Sequence, residues 1–113
     1  MHEMSLIQSL LSQLEIIAEQ NRLTRITKVV LQLGDFRQCV PEILEFAFTT
    51  LIEGTSAAGA KLVIEHLPIT MECLSCGKVF TVQRHVYFCP QCQETQLKLL
   101  SGKEFILEKI EGT

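Results

Sequence analysis

The sequence predicts an α+β fold in which two helices pack on a small three-stranded mixed sheet and a four-cysteine ribbon is inserted between two of the strands. Apolar residues recur at helical spacing in two separate stretches. Two β-branched, apolar runs, residues 26–33 and 61–67, read as strands, and a third follows near the end of the chain. Between the second and third strands stand two C-x-x-C couples, Cys73-Leu74-Ser75-Cys76 and Cys89-Pro90-Gln91-Cys92, with twelve residues between them.

The first helix is expected over residues 5–21. Leu6, Ile7, Leu10, Leu11, Leu14 and Ile17 recur at three- and four-residue steps with Ala18 on the same side, while Gln8, Gln13, Glu15, Glu19 and Gln20 fill the other. Asn21 suits the stop. Strand 26–33 (Ile-Thr-Lys-Val-Val-Leu-Gln-Leu) closes on the turn Gly34-Asp35. A second helix begins at Pro41, a residue suited to the first helical position, carries Ile43, Leu44, Phe46, Ala47, Phe48 and Leu51, and ends near Gly54. Residues 55–59 form a small-residue loop, and strand 61–67 is closed by Pro68. The cysteine segment occupies residues 70–97, with 79–82 and 86–88 as short strands, and residues 104–110 return as the third main strand. Residues 1–69 and 98–113 are thus expected to form one domain and 70–97 a second, inserted one.

Each C-x-x-C places two sulfurs on one tight knuckle, and two knuckles can supply four thiolates in a tetrahedron, the geometry that zinc takes. The spacer is a little shorter than usual for four-cysteine sites but of the same kind. Gly77 can relax the backbone after the first knuckle and Pro90 stiffens the second. Residues 1–20 are amphipathic, unlike an apolar secretory segment, so the expectation is a cytoplasmic chain with reduced thiols. There a paired C-x-x-C set reads as a metal site rather than two disulfides. Four sulfurs leave no open coordination position, so zinc at Cys73, Cys76, Cys89 and Cys92 is expected to be structural, tying a segment with few apolar residues. Iron in the same four sulfurs, as in rubredoxin-like electron carriers, is the rival reading. Cys39, in Gln38-Cys39-Val40-Pro41, reads as a small half-buried residue, since nothing near it argues for a redox or metal-binding thiol.

A chain of 113 residues, 47% of them hydrophobic, can build one modest core with a small appendage. No apolar run approaches the length of a membrane span. The formal net charge is −3, which four thiolates and one zinc ion shift to −5. Within residues 71–97 Lys78 and Arg84 are offset by Glu72 and Glu94. A nucleic-acid binder normally shows a basic face, so this balance argues against nucleic acid as a partner.

The chain begins Met1-His2-Glu3. At a free terminus the amine, the deprotonated amide nitrogen of the second residue and its imidazole Nδ1 can chelate one metal through a five- and a six-membered ring. Three nitrogens in a plane suit nickel(II) or copper(II). Bulky His2 is expected to block removal of the initiator methionine, so the amine would be that of Met1. A solvated terminal histidine of no consequence is the plain alternative. The fourth ligand is not named by local sequence; Glu3, His66, His85, Cys39 and water are candidates.

Taken together these residues resemble the HypA/HybF family of hydrogenase maturation factors, which are nickel metallochaperones. The likeness runs through Met1-His2-Glu3-Met4-Ser5-Leu6, Gln8-Ser9-Leu10, Ile26-Thr27-Lys28-Val29, Leu33-Gly34-Asp35 and Gly59-Ala60-Lys61-Leu62. It continues in Ile64-Glu65, Pro68, Cys73-x-x-Cys76-Gly77, Cys89-Pro90-x-Cys92, Gly102-x-Glu104 and Ile110-Glu111. The resemblance implies nickel at His2, helped by the amine of Met1 and by Glu3 through backbone or side chain, and zinc at the four cysteines. It implies delivery of nickel, with a HypB-type GTPase, to the large subunit of a nickel–iron hydrogenase; some members also serve urease maturation. Relatives that complete the nickel square use a histidine after the last knuckle or an aspartate soon after the glycine–acid turn. This chain has no His after Cys92 and no Asp between Phe36 and Glu42.

The chain is expected to be a carrier and not an enzyme. No Ser/His/Asp or Cys/His set is arranged for nucleophilic attack and no glycine loop cradles phosphate. The competing reading is a zinc-ribbon interaction module with an incidental terminal histidine. Monomer and dimer are both compatible with these residues.

Overall fold

The computed structural model describes residues 2–113, apart from the side chain of His2. The elements are α1 (His2–Gln20), β1 (Ile26–Gly34), a 3-10 turn (Asp35–Arg37), α2 (Pro41–Leu51), β2 (Lys61–Leu67), β3 (Thr70–Cys73), β4 (Val79–Thr81), β5 (Leu97–Ser101) and β6 (Phe105–Gly112). They make two three-stranded sheets, β2-β1-β6 and β4-β3-β5. The chain divides into two compact units, one of residues up to 32 with 39–65 and 106–113, the other of residues 33–38 and 66–105.

In the first unit the helical stripe read from the sequence is the buried one. Ile7, Leu10, Leu14 and Ala18 of α1 are each at most 4% exposed, and they pack with Leu44, Ala47 and Phe48 of α2. The helix starts at His2, three residues earlier than the apolar period shows, because His2, Glu3 and Met4 sit before the first repeat of that period. Its end is a Schellman cap. Leu23 N donates to Ala18 O at 2.8 Å and Arg22 N to Glu19 O at 3.3 Å, with Arg22 in the left-handed region at φ 57°. The Asn21 backbone N and Nδ2 both donate to Ile17 O, so Asn21 stops the helix as its identity suggests.

β1 is the central strand of its sheet, and Ile26, Val29, Leu31 and Leu33 are at most 2% exposed. Arg25 and Thr113 exchange both backbone hydrogen bonds, and Thr27 Oγ1 donates to Glu111 O, so β6 runs antiparallel to β1. Ile26 N donates to Ser56 O, shortly before β2 begins, while His66 near the end of β2 lies 3.5 Å from Asp35 just past β1. The two strands therefore run in the same direction, as a helical crossover between them allows. The sheet is mixed, with two helices in the same fold, as the sequence predicts.

The second unit is built on β3, which pairs antiparallel with both β4 and β5. Two glycines allow a close backbone approach here. A Cβ on Gly34 would stand 2.0 Å from Gly102 O, and Gly102 itself has φ +120° with Ile69 Cα 2.9 Å from where its Cβ would be. Phe36 N donates to Gly102 O, Gly34 N to Glu104 O and Arg37 Nε to Lys103 O, which clamps the 3-10 turn to the turn between β5 and β6. Residues 86–88, expected as a strand, are not one. Arg84 and His85 both adopt positive φ, 55° and 58°, and this double left-handed turn breaks the extended run. β5, unread as a strand from the sequence, takes the place on the other edge of β3. Among the described residues no helix is long and apolar enough to cross a membrane.

Candidate metal centre

The two C-x-x-C couples fold into two knuckles of the same shape. In the first, Cys73 N donates to Lys78 O at 2.9 Å and Gly77 N returns to Cys73 O at 2.9 Å. In the second, Cys89 N donates to Glu94 O at 2.9 Å and Gln93 N to Cys89 O at 2.8 Å. Each turn is closed by a residue at positive φ, Gly77 at 78° and Gln93 at 64°. β3 delivers Cys73 directly, and Leu74 N donates to Gln96 O, which ties the first knuckle to the run into β5.

The four sulfurs meet. Cys73 Sγ lies 3.5 Å from Cys92 Sγ, Cys76 Sγ lies 3.6 Å from Cys89 Sγ, and all four are within 4.8 Å of one another. A tetrahedral ion with bonds of about 2.3 Å would hold its sulfurs about 3.8 Å apart, so the cage needs only a small adjustment to accept one. These separations are well beyond a disulfide bond of about 2.0 Å, so the four sulfurs are not joined in disulfides. Cys73 and Cys89 are buried, whereas Cys76 and Cys92 reach the surface.

The protons divide unequally among the sulfurs. The Cys76 N–H holds the Cys73 thiol below its ordinary value against the opposing effect of burial. Burial also opposes ionisation of Cys89, but the N–H groups of Cys92 and Gln91 and the neighbouring sulfurs outweigh it and bring Cys89 down to about 6. The Glu94 N–H favours a thiolate at Cys92, yet burial and the other three sulfurs push that thiol up to about 12. Cys76 is also raised, with the Lys78 N–H outweighed by burial and by the Cys89 and Cys73 sulfurs. Four crowded thiols cannot all ionise without a cation between them. A divalent ion supplies what the cage lacks, and four sulfurs in a tetrahedron suit zinc or iron.

Among the described residues these cysteines are the one group of three or more His, Cys, Asp or Glu whose ligand atoms converge. His66 pairs with Asp35, and His85 stands beside Tyr87 with ring centroids 6.5 Å apart. Neither joins such a group. Cys39 is half-buried just before α2, as read from the sequence. Glu3 is buried at 7% exposure in the first turn of α1, a burial that its sequence position does not announce. Met1 and the His2 imidazole lie outside the described residues. The left-handed backbone at Gln93 was also missed; aligning the two knuckles places it opposite Gly77 and would have found it.

The family profile described as "Hydrogenase/urease nickel incorporation, metallochaperone, hypA" matches residues 1–112. The chain belongs to the HypA family. It is 36% identical over 111 residues to the hydrogenase maturation factor HypA of Aquifex aeolicus, covering 98% of this chain and 96% of that one. It is 38% identical to the HypA of Geobacter metallireducens, covering 98% of each. The fold matches the solution structure of the nickel metallochaperone HypA from Helicobacter pylori with TM-score 0.70 and 25% identity, over 97% of this chain and 96% of that one. A second solution structure of a HypA protein matches with TM-score 0.74 and 28% identity, over 100% of this chain and 97% of the other. HypA proteins are maturation factors rather than enzymes, and the geometry of the four-cysteine cage fits a metal ion.

Proposed function

We propose that this chain carries nickel(II) on its N-terminus and delivers it to the large subunit of a nickel–iron hydrogenase. Membership of the HypA family along residues 1–112, which includes the Met1-His2-Glu3 start, is the observation that carries the reading. The Met1 amine, the amide nitrogen and imidazole of His2, and Glu3 supply the nickel ligands, and Cys73, Cys76, Cys89 and Cys92 hold a structural zinc ion. The unit that carries α1 forms the nickel-binding part, and the unit that carries the four cysteines the zinc ribbon. A HypB-type GTPase is the partner in delivery, the compartment is the cytoplasm, and urease maturation proteins are a further set of recipients.

Local structure supports this assignment. α1 begins at His2, and the first N–H groups of a helix have no carbonyl of their own helix to bond. The His2 amide nitrogen can therefore exchange its proton for a metal without breaking a helical hydrogen bond. The helix dipole opposes a cation at this end by about 0.3–1 kcal/mol, and the charge of a deprotonated amide offsets it. Amine, imidazole and amide must all lose protons to bind, so acid releases the nickel.

The test is made in cells. Replacement of the chromosomal copy by His2→Ala should leave the hydrogenase large subunit without nickel, with activity restored by excess nickel in the medium. Normal nickel loading by His2→Ala would reject the proposal. A zinc-ribbon interaction module with no dedicated nickel site predicts that outcome.

A further inference from the structure

The zinc-binding unit carries an open strand edge beside an apolar groove, independent of the nickel terminus. β4 pairs with β3 as Thr70 with Thr81, Met71 with Phe80 and Glu72 with Val79. Bonds at both ends keep this register: Cys73 N donates to Lys78 O and Val82 N to Ile69 O. Bonded pairs alternate along an antiparallel ladder. Lys78, Phe80 and Val82 therefore turn their N–H and C=O groups toward β3, while Val79 and Thr81 turn theirs outward. β4 is a short strand at the edge of its sheet, and no proline or charged residue interrupts Val79–Thr81.

A groove of about 600 Å³ runs alongside this edge. Phe80, Val86, Phe88 and Pro90 give it apolar walls, and Arg84 is the one charged residue lining it. Val79, Val86 and Phe88 remain exposed at 53%, 42% and 43%. The segment that shapes the groove holds two consecutive left-handed residues, Arg84 and His85. Strain of this kind persists only where the surrounding structure imposes it.

We propose that β4 and this groove dock an extended segment of a partner protein, in which β-branched or aromatic residues alternate with a carboxylate. The segment adds as a fourth strand outside β4, bonded to the outward groups of Val79 and Thr81. One of its apolar side chains fills the space between Phe80 and Phe88, and its carboxylate pairs with the Arg84 guanidinium. Main-chain bonds give the affinity and the groove gives the choice of side chain. The one charge lining the groove, on Arg84, favours an acidic partner segment over a basic one.

The test uses the full zinc-loaded chain as bait for a displayed library of random peptides, followed by anisotropy titrations with synthetic peptides of the enriched sequences. Alternating apolar and Asp or Glu residues are expected. Thr81→Pro should abolish binding, since it removes an outward N–H and leaves the bonds to β3 in place. Arg84→Glu should weaken acidic peptides roughly tenfold, the size of a charge-assisted hydrogen bond, and shift enrichment toward Lys and Arg. Phe88→Ser, which trims a side chain 43% exposed and leaves the backbone bonds of β4 in place, should weaken binding with zinc content unchanged and decides the matter if Thr81→Pro fails to hold zinc. No enrichment, a helical consensus, or peptides that bind all three variants like the parent would overturn the proposal. So would self-association that Thr81→Pro removes, which would make the occupant a second copy.

Discussion

Gln93 occupies in the second knuckle the place that Gly77 occupies in the first. Both close a C-x-x-C turn at positive φ, 64° and 78°, and both donate their N–H to the carbonyl of the first cysteine of the couple. The two residues meet the same backbone demand at different cost. A left-handed L-residue other than glycine costs about 1–2 kcal/mol, of which glycine's greater freedom in the unfolded chain returns part.

Gln93→Gly is therefore expected to stabilise the zinc-loaded chain by about 0.5–1 kcal/mol. Gly77→Ala should destabilise it by a similar amount, about 0.5–1 kcal/mol, and the cost is conformational alone, because no atom lies within 4 Å of the position of the added Cβ. Urea unfolding of the zinc-loaded proteins measures both changes. A neutral Gln93→Gly would show that the second knuckle is not strained.

Zinc uptake is expected to release protons at neutral pH. In the metal-free cage Cys76 and Cys92 are raised and hold their protons, Cys89 at about 6 favours the thiolate, and Cys73 is lowered from the ordinary thiol value. Binding must displace the held protons, so affinity falls as pH falls. For Cys89 the sign is that of a depressed acid: its contribution to the stability of the metal-free fold is full above the ordinary thiol value of 9.0 and is lost as pH falls through about 6. Calorimetry in buffers of different ionisation enthalpy counts the protons. Zinc binding with no proton release at pH 7.5 would contradict this charge distribution.

Glu108 on β6 shares a hydrogen bond with the Glu65 carboxyl of β2, and this bond, then burial and the charge of Glu65, raise its pKa. A carboxyl raised on folding favours the folded state at low pH and loses that contribution as pH rises through its folded value. Glu108→Gln should therefore raise Tm at pH 7 and change it little near pH 4. Equal shifts at the two pH values would count against a shared proton.

Gly34→Ala is expected to cost the upper end of the roughly 1–3 kcal/mol typical of overpacking, because its Cβ would meet the Gly102 carbonyl at 2.0 Å. In the other unit, Phe48→Ala should cost about 3–5 kcal/mol by opening a cavity where α2 packs on α1. Thermal unfolding with near-UV circular dichroism measures both. An unchanged Tm in Gly34→Ala would show that the two backbones do not approach so closely.

What the sequence disclosed followed the strength of its periodicities. Ile7, Leu10, Leu14 and Ala18 announce α1, and Pro41 marks the start of α2, because a helix buries one stripe and takes proline at its first turn. The cysteine couples announce their cage because a C-x-x-C knuckle is a local structure. The strand Leu97–Ser101 went unread, although Leu97 and Leu99 alternate with Lys98, since its partner β3 lies far away in the chain. Residues 86–88 looked extended, but the turn at Arg84 and His85 overrides their β-branched composition. The burial of Glu3 depends on packing that no local pattern encodes.

The central claim is a dedicated nickel site at the N-terminus of a zinc-tied scaffold. Its most direct measurement is a nickel titration of tag-free, zinc-loaded protein with an authentic Met1, beside His2→Ala, followed by visible absorption. The account predicts one nickel per chain with the absorption of a planar nitrogen-rich site, lost in His2→Ala while zinc is retained in both. Equal nickel binding by the two proteins would contradict it.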